Sequence, residues 1–229
     1  MVETKLIDYY QNNFKKFGIS EKSLGWTKEK QFLRFYQLSK NFSLNDASIL
    51  DVGCGFGNIL EYFTRNQCRP AQYTGIDIVE EFIQVAKDRN QGENTKFILG
   101  NYLKVPFEKM DYIVGSGIFG HRLFETDEAQ YGYIDQVLRK SFQECNVGIS
   151  FDFLSDKTDY HSGEQDFHAS PLKVLELAYQ FTRNIIFDNS CMPFEYSITL
   201  FKDDHFLKEK TVFNKFLVDH HTLLESGRL

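Results

Sequence analysis

The 229-residue chain carries 42% hydrophobic and 25% charged residues, enough apolar content for a substantial core and ordinary for a globular domain. Its net charge of −6, with no lysine or arginine cluster to offset it, disfavours a nucleic-acid partner, which requires a basic surface. Cys54, Cys68, Cys145 and Cys191 lie far apart without a C-x-x-C pair and read as reduced thiols. No apolar run approaches membrane-spanning length, so a soluble, cytoplasmic protein is expected.

Leu6, Tyr9, Tyr10, Phe14 and Phe17 recur at helical spacing, which predicts an amphipathic helix over residues 6–17 stopped by Gly18. A loop through Ser23, Leu24, Gly25 and Trp26 leads to a second helix over 27–42, with Thr27 as N-cap. Its Phe32, Leu33, Phe35, Tyr36 and Leu38 are expected to cap one side of a crevice. From Ala47 onward strand and helix patterns alternate. Strands are expected at 48–52, 72–78, 95–99, 111–116, 146–153, 184–188 and 195–202, and helices at 57–66, 79–90, 127–143 and 171–182. The alternation predicts an α/β fold with a doubly wound, seven-stranded, mostly parallel sheet. No helix fits between the last two strands, so 189–194 is a loop and the final strand runs antiparallel.

Residues 155–170 are polar and without apolar periodicity, and their place after the fifth strand puts them beside the crevice. The chain thus divides into a helical cap (1–44), a core (45–202) with this insertion, and a helical tail (203–229). The tail's apolar face is expected to pack on the domain or on a second subunit of a homodimer.

The core is organised around Ile49-Leu50-Asp51-Val52-Gly53-Cys54-Gly55-Phe56-Gly57. A buried strand ends in an acid, three glycines follow at alternate positions, and a helix begins at once. Glycine lets the backbone approach a ligand where a Cβ would collide, and the turn's N–H groups point into the crevice. The spacing differs from the G-x-G-x-x-G of dinucleotide sites, and the next strand ends in its own acid, Asp77. The pair resembles motif I and the following acidic motif of the class I S-adenosylmethionine-dependent methyltransferases, whose fold also has seven strands and an antiparallel last strand. Further likeness lies in Gly25-Trp26, Gln31, Arg34-Phe35, Ser116-Gly117-Ile118-Phe119 and Phe151-Asp152-Phe153-Leu154-Ser155. Together these look like a bacterial subgroup associated with small-molecule or surface-saccharide modification, and cover most of residues 23–202. That subgroup has an asparagine where this chain has Asp152.

The resemblance implies S-adenosylmethionine as cofactor. Gly53, Cys54, Gly55 and Gly57 would admit its methionine and ribose, and Asp77 would accept both ribose hydroxyls. Ile78 would lie on the adenine, while Asn101, with Tyr102 beside it, would meet the adenine amino group. Ser116 stands where family members set backbone against the cofactor. Arg34 is expected to pair with the methionine carboxylate and Trp26 to cover the sulfonium.

A hydroxyl acceptor also needs a base, and His121, just past the fourth strand, is the best-placed candidate. Arg122 could bind an anionic group such as a phosphate. Tyr10, Tyr160 and His168 are candidates for the acceptor pocket, and His161 and His168 are second-line candidates for the base. The histidine spacing fits no metal motif. The fourth strand lacks the Asn/Asp-Pro-Pro-Tyr sequence of amino-group methyltransferases, which favours a small-molecule acceptor methylated on oxygen. The rivals are a protein or tRNA methyltransferase, a nicotinamide-dependent dehydrogenase, and a non-catalytic cofactor-binding subunit.

Overall fold

A computed structural model describes residues 2–25, 28–159, 163 and 165–202. Helix α1 (Val2–Phe17) carries Glu3 in its first turn and Lys15 and Lys16 in its last, each sign matched to the nearer end of the helix dipole. It ends where Gly18 turns left-handed (φ +63) and donates its N–H to Phe14 O at 2.8 Å. A single 3-10 turn (Glu21–Leu24) precedes α2 (Lys28–Ser39). Helix α2 stops three residues earlier than its apolar pattern suggests. The Ser39 hydroxyl bonds back to Phe35 O, and Phe42 leaves the helix to stack on Tyr112 at 4.2 Å between ring centres.

The alternating section follows: β1 (Ser48–Val52), α3 (Asn58–Arg65), β2 (Gln72–Asp77), α4 (Glu80–Arg89), β3 (Thr95–Leu99), β4 (Met110–Gly115), α5 (Asp127–Glu144) and β5 (Cys145–Ser155). It closes with β6 (His168–Ala169), α6 (Pro171–Ala178), β7 (Ile185–Asp188) and β8 (Glu195–Phe201). The sheet runs β3-β2-β1-β4-β5-β8-β7, and β8 alone is antiparallel to its neighbours. The doubly wound sheet with an antiparallel final strand is as expected. Successive residues of the buried strands face opposite layers. Ile49, Tyr73, Phe97 and Val114 pack with Phe35, Ile59, Phe63 and Ala86 from α2, α3 and α4. Leu50, Ile113 and Ile149 pack with Ile134, Val137 and Val174 from α5 and α6. Such two-faced burial is what a parallel sheet requires. A third, smaller cluster at the C-terminal ends of the strands joins Leu24, Phe56, Val79 and Phe82 to Tyr10 and Phe14 of α1.

Two expectations need correction. Helix α6 ends at Ala178 rather than 182, because Gln180 and Phe181 fold into tighter turns on Leu177 O and Ala178 O before β7. The polar insertion is not wholly irregular: His168 and Ala169 pair with Leu154 and Ser155 of β5, and the buried Phe167 anchors them. The proposed tail, 203–229, lies outside the described residues. Among the described residues no helix is long and apolar enough to cross a membrane.

Candidate active site

The sheet order reverses between β1 and β4, and a crevice at the carboxyl ends of such strands is where α/β sheets bind ligands. A cavity of about 670 Å³ lies there. Its floor begins at the glycine turn. Gly53 has φ +73, and a Cβ there would collide with Ile118 of the β4 loop, so both the angle and the space require glycine. The N–H groups of Gly53 and Cys54 bind Ile76 O at 2.8 and 3.1 Å, which stitches the turn to β2. Gly57, at φ +75, is the N-cap of α3 and packs against Asn90 and Phe97, so it shapes the turn without lining the cavity.

At the end of β2, Asp77 accepts Gly55 N–H on Oδ2 and Val79 N–H on Oδ1, both at 2.9 Å. Burial raises its pKa, against the lowering effect of these backbone donors. Each oxygen keeps a lone pair for a ligand hydroxyl. At the end of β3, Asn101 accepts Leu103 N–H through Oδ1 and donates to Glu3 Oε2 at 3.1 Å. The buried Tyr102 beside it bonds Ser141 and Glu144 of α5.

At the end of β4, the buried Asp152 of β5 accepts the Ser116 hydroxyl at 2.7 Å and the Gly117 N–H at 2.6 Å. His121 follows, with Nε2 at 3.0 Å from the Tyr10 hydroxyl. Burial holds its imidazole below the usual pKa, opposed by the Asp166 carboxylate and a hydrogen bond with the Gln165 backbone. Helix α1 forms the roof: Glu3, Leu6 and Tyr10 line the cavity, and Gln11 ties the helix to Glu81 of α4 at 3.0 Å.

A methyltransferase-domain family model matches residues 49–141, from β1 into α5. A Mycobacterium tuberculosis protein named as a methyltransferase, Rv1506c, is 30% identical over 147 residues, covering 63% of this chain and 83% of that protein. The chain belongs to the class I S-adenosylmethionine-dependent methyltransferases. A second M. tuberculosis relative, phthiotriol/phenolphthiotriol dimycocerosates methyltransferase, is 24% identical over 62% of this chain and 50% of its own length. The fold is shared with magnesium protoporphyrin IX methyltransferase from Synechocystis PCC 6803, solved with SAH bound. The TM-score is 0.61 at 14% identity, covering 87% of this chain and 99% of that one.

The methyltransferase uses S-adenosylmethionine, and the cavity's donor set suits it: an acid with free lone pairs at β2, an amide at β3 and an open glycine turn at β1. The structure gathers Gly53, Cys54, Gly55, Asp77, Ile78, Asn101, Tyr102, Ser116, Tyr10 and His121 around this cavity. Other candidates lie elsewhere. Arg34 does not reach it: the side chain is buried in an ion pair with Glu195 of β8, Nε to Oε2 at 2.7 Å. Arg122 turns outward to Asp127 at 2.9 Å and lies over the Phe167 ring. His168 donates Nδ1–H to Ser155 O within the β5–β6 pairing. Trp26, Tyr160 and His161 lie outside the described residues.

Sequence reasoning missed several lining residues. Glu3 and Leu6 arrive from α1, Tyr133 and Gln136 from α5, and Gln31 from α2, where its Oε1 accepts from Asn58 Nδ2 at 2.9 Å. Helical periodicity marked α1 as amphipathic, but nothing local says what its buried face covers.

Proposed function

We propose that the protein methylates a hydroxyl of a small, uncharged acceptor, with His121 as the base. The observation that carries this reading is the 3.0 Å approach of the Tyr10 hydroxyl to His121 Nε2, inside the cavity that holds Asp77 and the glycine turn. A hydroxyl there is at proton-transfer distance. The lowered pKa of His121 leaves the imidazole neutral near pH 7, the form that accepts a proton.

Asp77 takes the ribose hydroxyls, Ile78 and Asn101 meet the adenine, and the turn from Gly53 to Gly55 holds the methionine portion. Bound S-adenosylmethionine supplies a methyl carbon already activated by a sulfonium. The chain's task is then alignment, exclusion of water by the α1 roof, and removal of the acceptor proton. The charge of the acceptor follows from the walls. Among the described residues the Asp, Glu, Lys and Arg side chains lining the cavity are Glu3, Asp51 and Asp77, all acidic, and Arg122 is engaged outside it. Among the described residues an anionic acceptor finds no lysine or arginine partner there. Relatives named for phthiotriol dimycocerosates and magnesium protoporphyrin IX support a small-molecule acceptor.

The test is a panel of phenols and neutral sugars against their phosphorylated counterparts, with wild type and His121→Ala. Turnover of a neutral hydroxyl compound, reduced about 10²–10⁴-fold in the variant while SAH affinity holds, is expected. A preference for the phosphorylated compounds, or undiminished turnover in His121→Ala, overturns the reading.

A further inference from the structure

Asp152 is 6% exposed, and its two oxygens hold the Ser116 hydroxyl and the Gly117 N–H at 2.7 and 2.6 Å. In both bonds Asp152 is the acceptor, and the Ser116 hydroxyl is the donor to its Oδ2. The Ser116 proton is therefore committed to Asp152, and Ser116, which lines the cavity, offers a ligand lone pairs only. The place of this group in the sheet says which ligand atom it meets. The strand ends follow one another along the crevice as β3, β2, β1, β4. With the adenine at Asn101, the ribose at Asp77 and the methionine portion at Gly53, the next station is the end of β4. A Cβ on Gly53 would collide with the Ile118 side chain, so the two turns adjoin. The amino-acid end of the cofactor carries an ammonium, a group with donors only.

We propose that Asp152 is a positioning residue that fixes the Ser116 hydroxyl as an acceptor for the ammonium of the bound cofactor. The inference rests on the cofactor reading of the cavity and is independent of the role of His121. A neutral amide at position 152 reverses the arrangement at nearly constant shape. Its oxygen stays on the Gly117 N–H, its NH2 donates to Ser116 Oγ, and the serine proton turns into the cavity against the ammonium.

The experiment is calorimetric titration with SAH and with 5′-methylthioadenosine, which lacks the ammonium and carboxylate. It uses wild type, Asp152→Asn, Ser116→Ala and the double variant. SAH affinity is expected to fall about tenfold or more in Asp152→Asn, the scale of a charge-assisted hydrogen bond, while methylthioadenosine affinity stays within about twofold. Ser116→Ala should show the same split, and Asp152→Asn should add no further loss in the Ser116→Ala background. Equal losses for both ligands would mean that Asp152 only supports the turn, which overturns the proposal. Unchanged SAH affinity, or a loss that persists without Ser116, does so too. Failure of wild type to bind either ligand would instead remove the cofactor reading beneath it.

Discussion

Asp51 lies beneath the glycine turn at 4% exposure and accepts the Tyr73 hydroxyl at 2.6 Å. Burial pushes its carboxyl up to about 7, against the opposing pull of the Tyr73 bond. The folded protein therefore holds this proton more tightly than the unfolded chain. The stability it contributes is complete below about pH 4 and declines as pH rises towards 7. Asp51→Asn keeps an acceptor for Tyr73 and removes the proton. Thermal unfolding from pH 4 to 8 should show wild type losing stability relative to the variant across that window. Parallel curves would show that Asp51 does not titrate there. At this scale the sequence was most informative where chemistry is written locally. Asp77 and the glycines were legible because a strand end, an acid and a spacing fall within a few residues. Arg34 was not, because its partner Glu195 stands 161 positions away and no local pattern announces it.

Helix α1 is the element through which ligand exchange must be understood. Its rim contacts are polar and partly exposed: Glu3 to Lys104 at 2.6 Å, Glu3 to Asn101, and Gln11 to Glu81. An exposed ion pair contributes about 1 kcal/mol or less, so the roof is held lightly at this edge. Glu3→Ala should accelerate SAH release by a few-fold, as stopped-flow displacement would measure; an unchanged rate would take α1 out of the exit path. Periodicity gave the existence of α1 and of the seven strands and four helices of the alternating section. It could not supply the destination of an amphipathic face, nor a two-residue strand such as β6, which is shorter than any repeat that could betray it.

Across the whole molecule, the Arg34–Glu195 pair ties α2 to β8, with side chains 4% and 9% exposed. Removing one member of a buried pair strands the other and costs about 3–5 kcal/mol. Arg34→Ala is therefore expected to lower the melting temperature on the order of 10 °C while leaving SAH affinity unaltered. A tenfold loss of affinity in a variant of native stability would return Arg34 to the site. The global fold was legible because strand–helix alternation and the short 189–194 connection constrain the sheet order; the long-range pairings that lock it were not.

Strand β8 sits between β5 and β7, and among the described residues it is the only partner of β7 in the sheet. During synthesis β7 thus leaves the ribosome with nothing to pair with, and the five-stranded half built from β3 to β5 presents an open edge. Arg34, made long before, waits for a carboxylate that arrives with β8. The β5 edge of this half-sheet is therefore paired along Gly148–Leu154 only once residues 195–201 have emerged to close it.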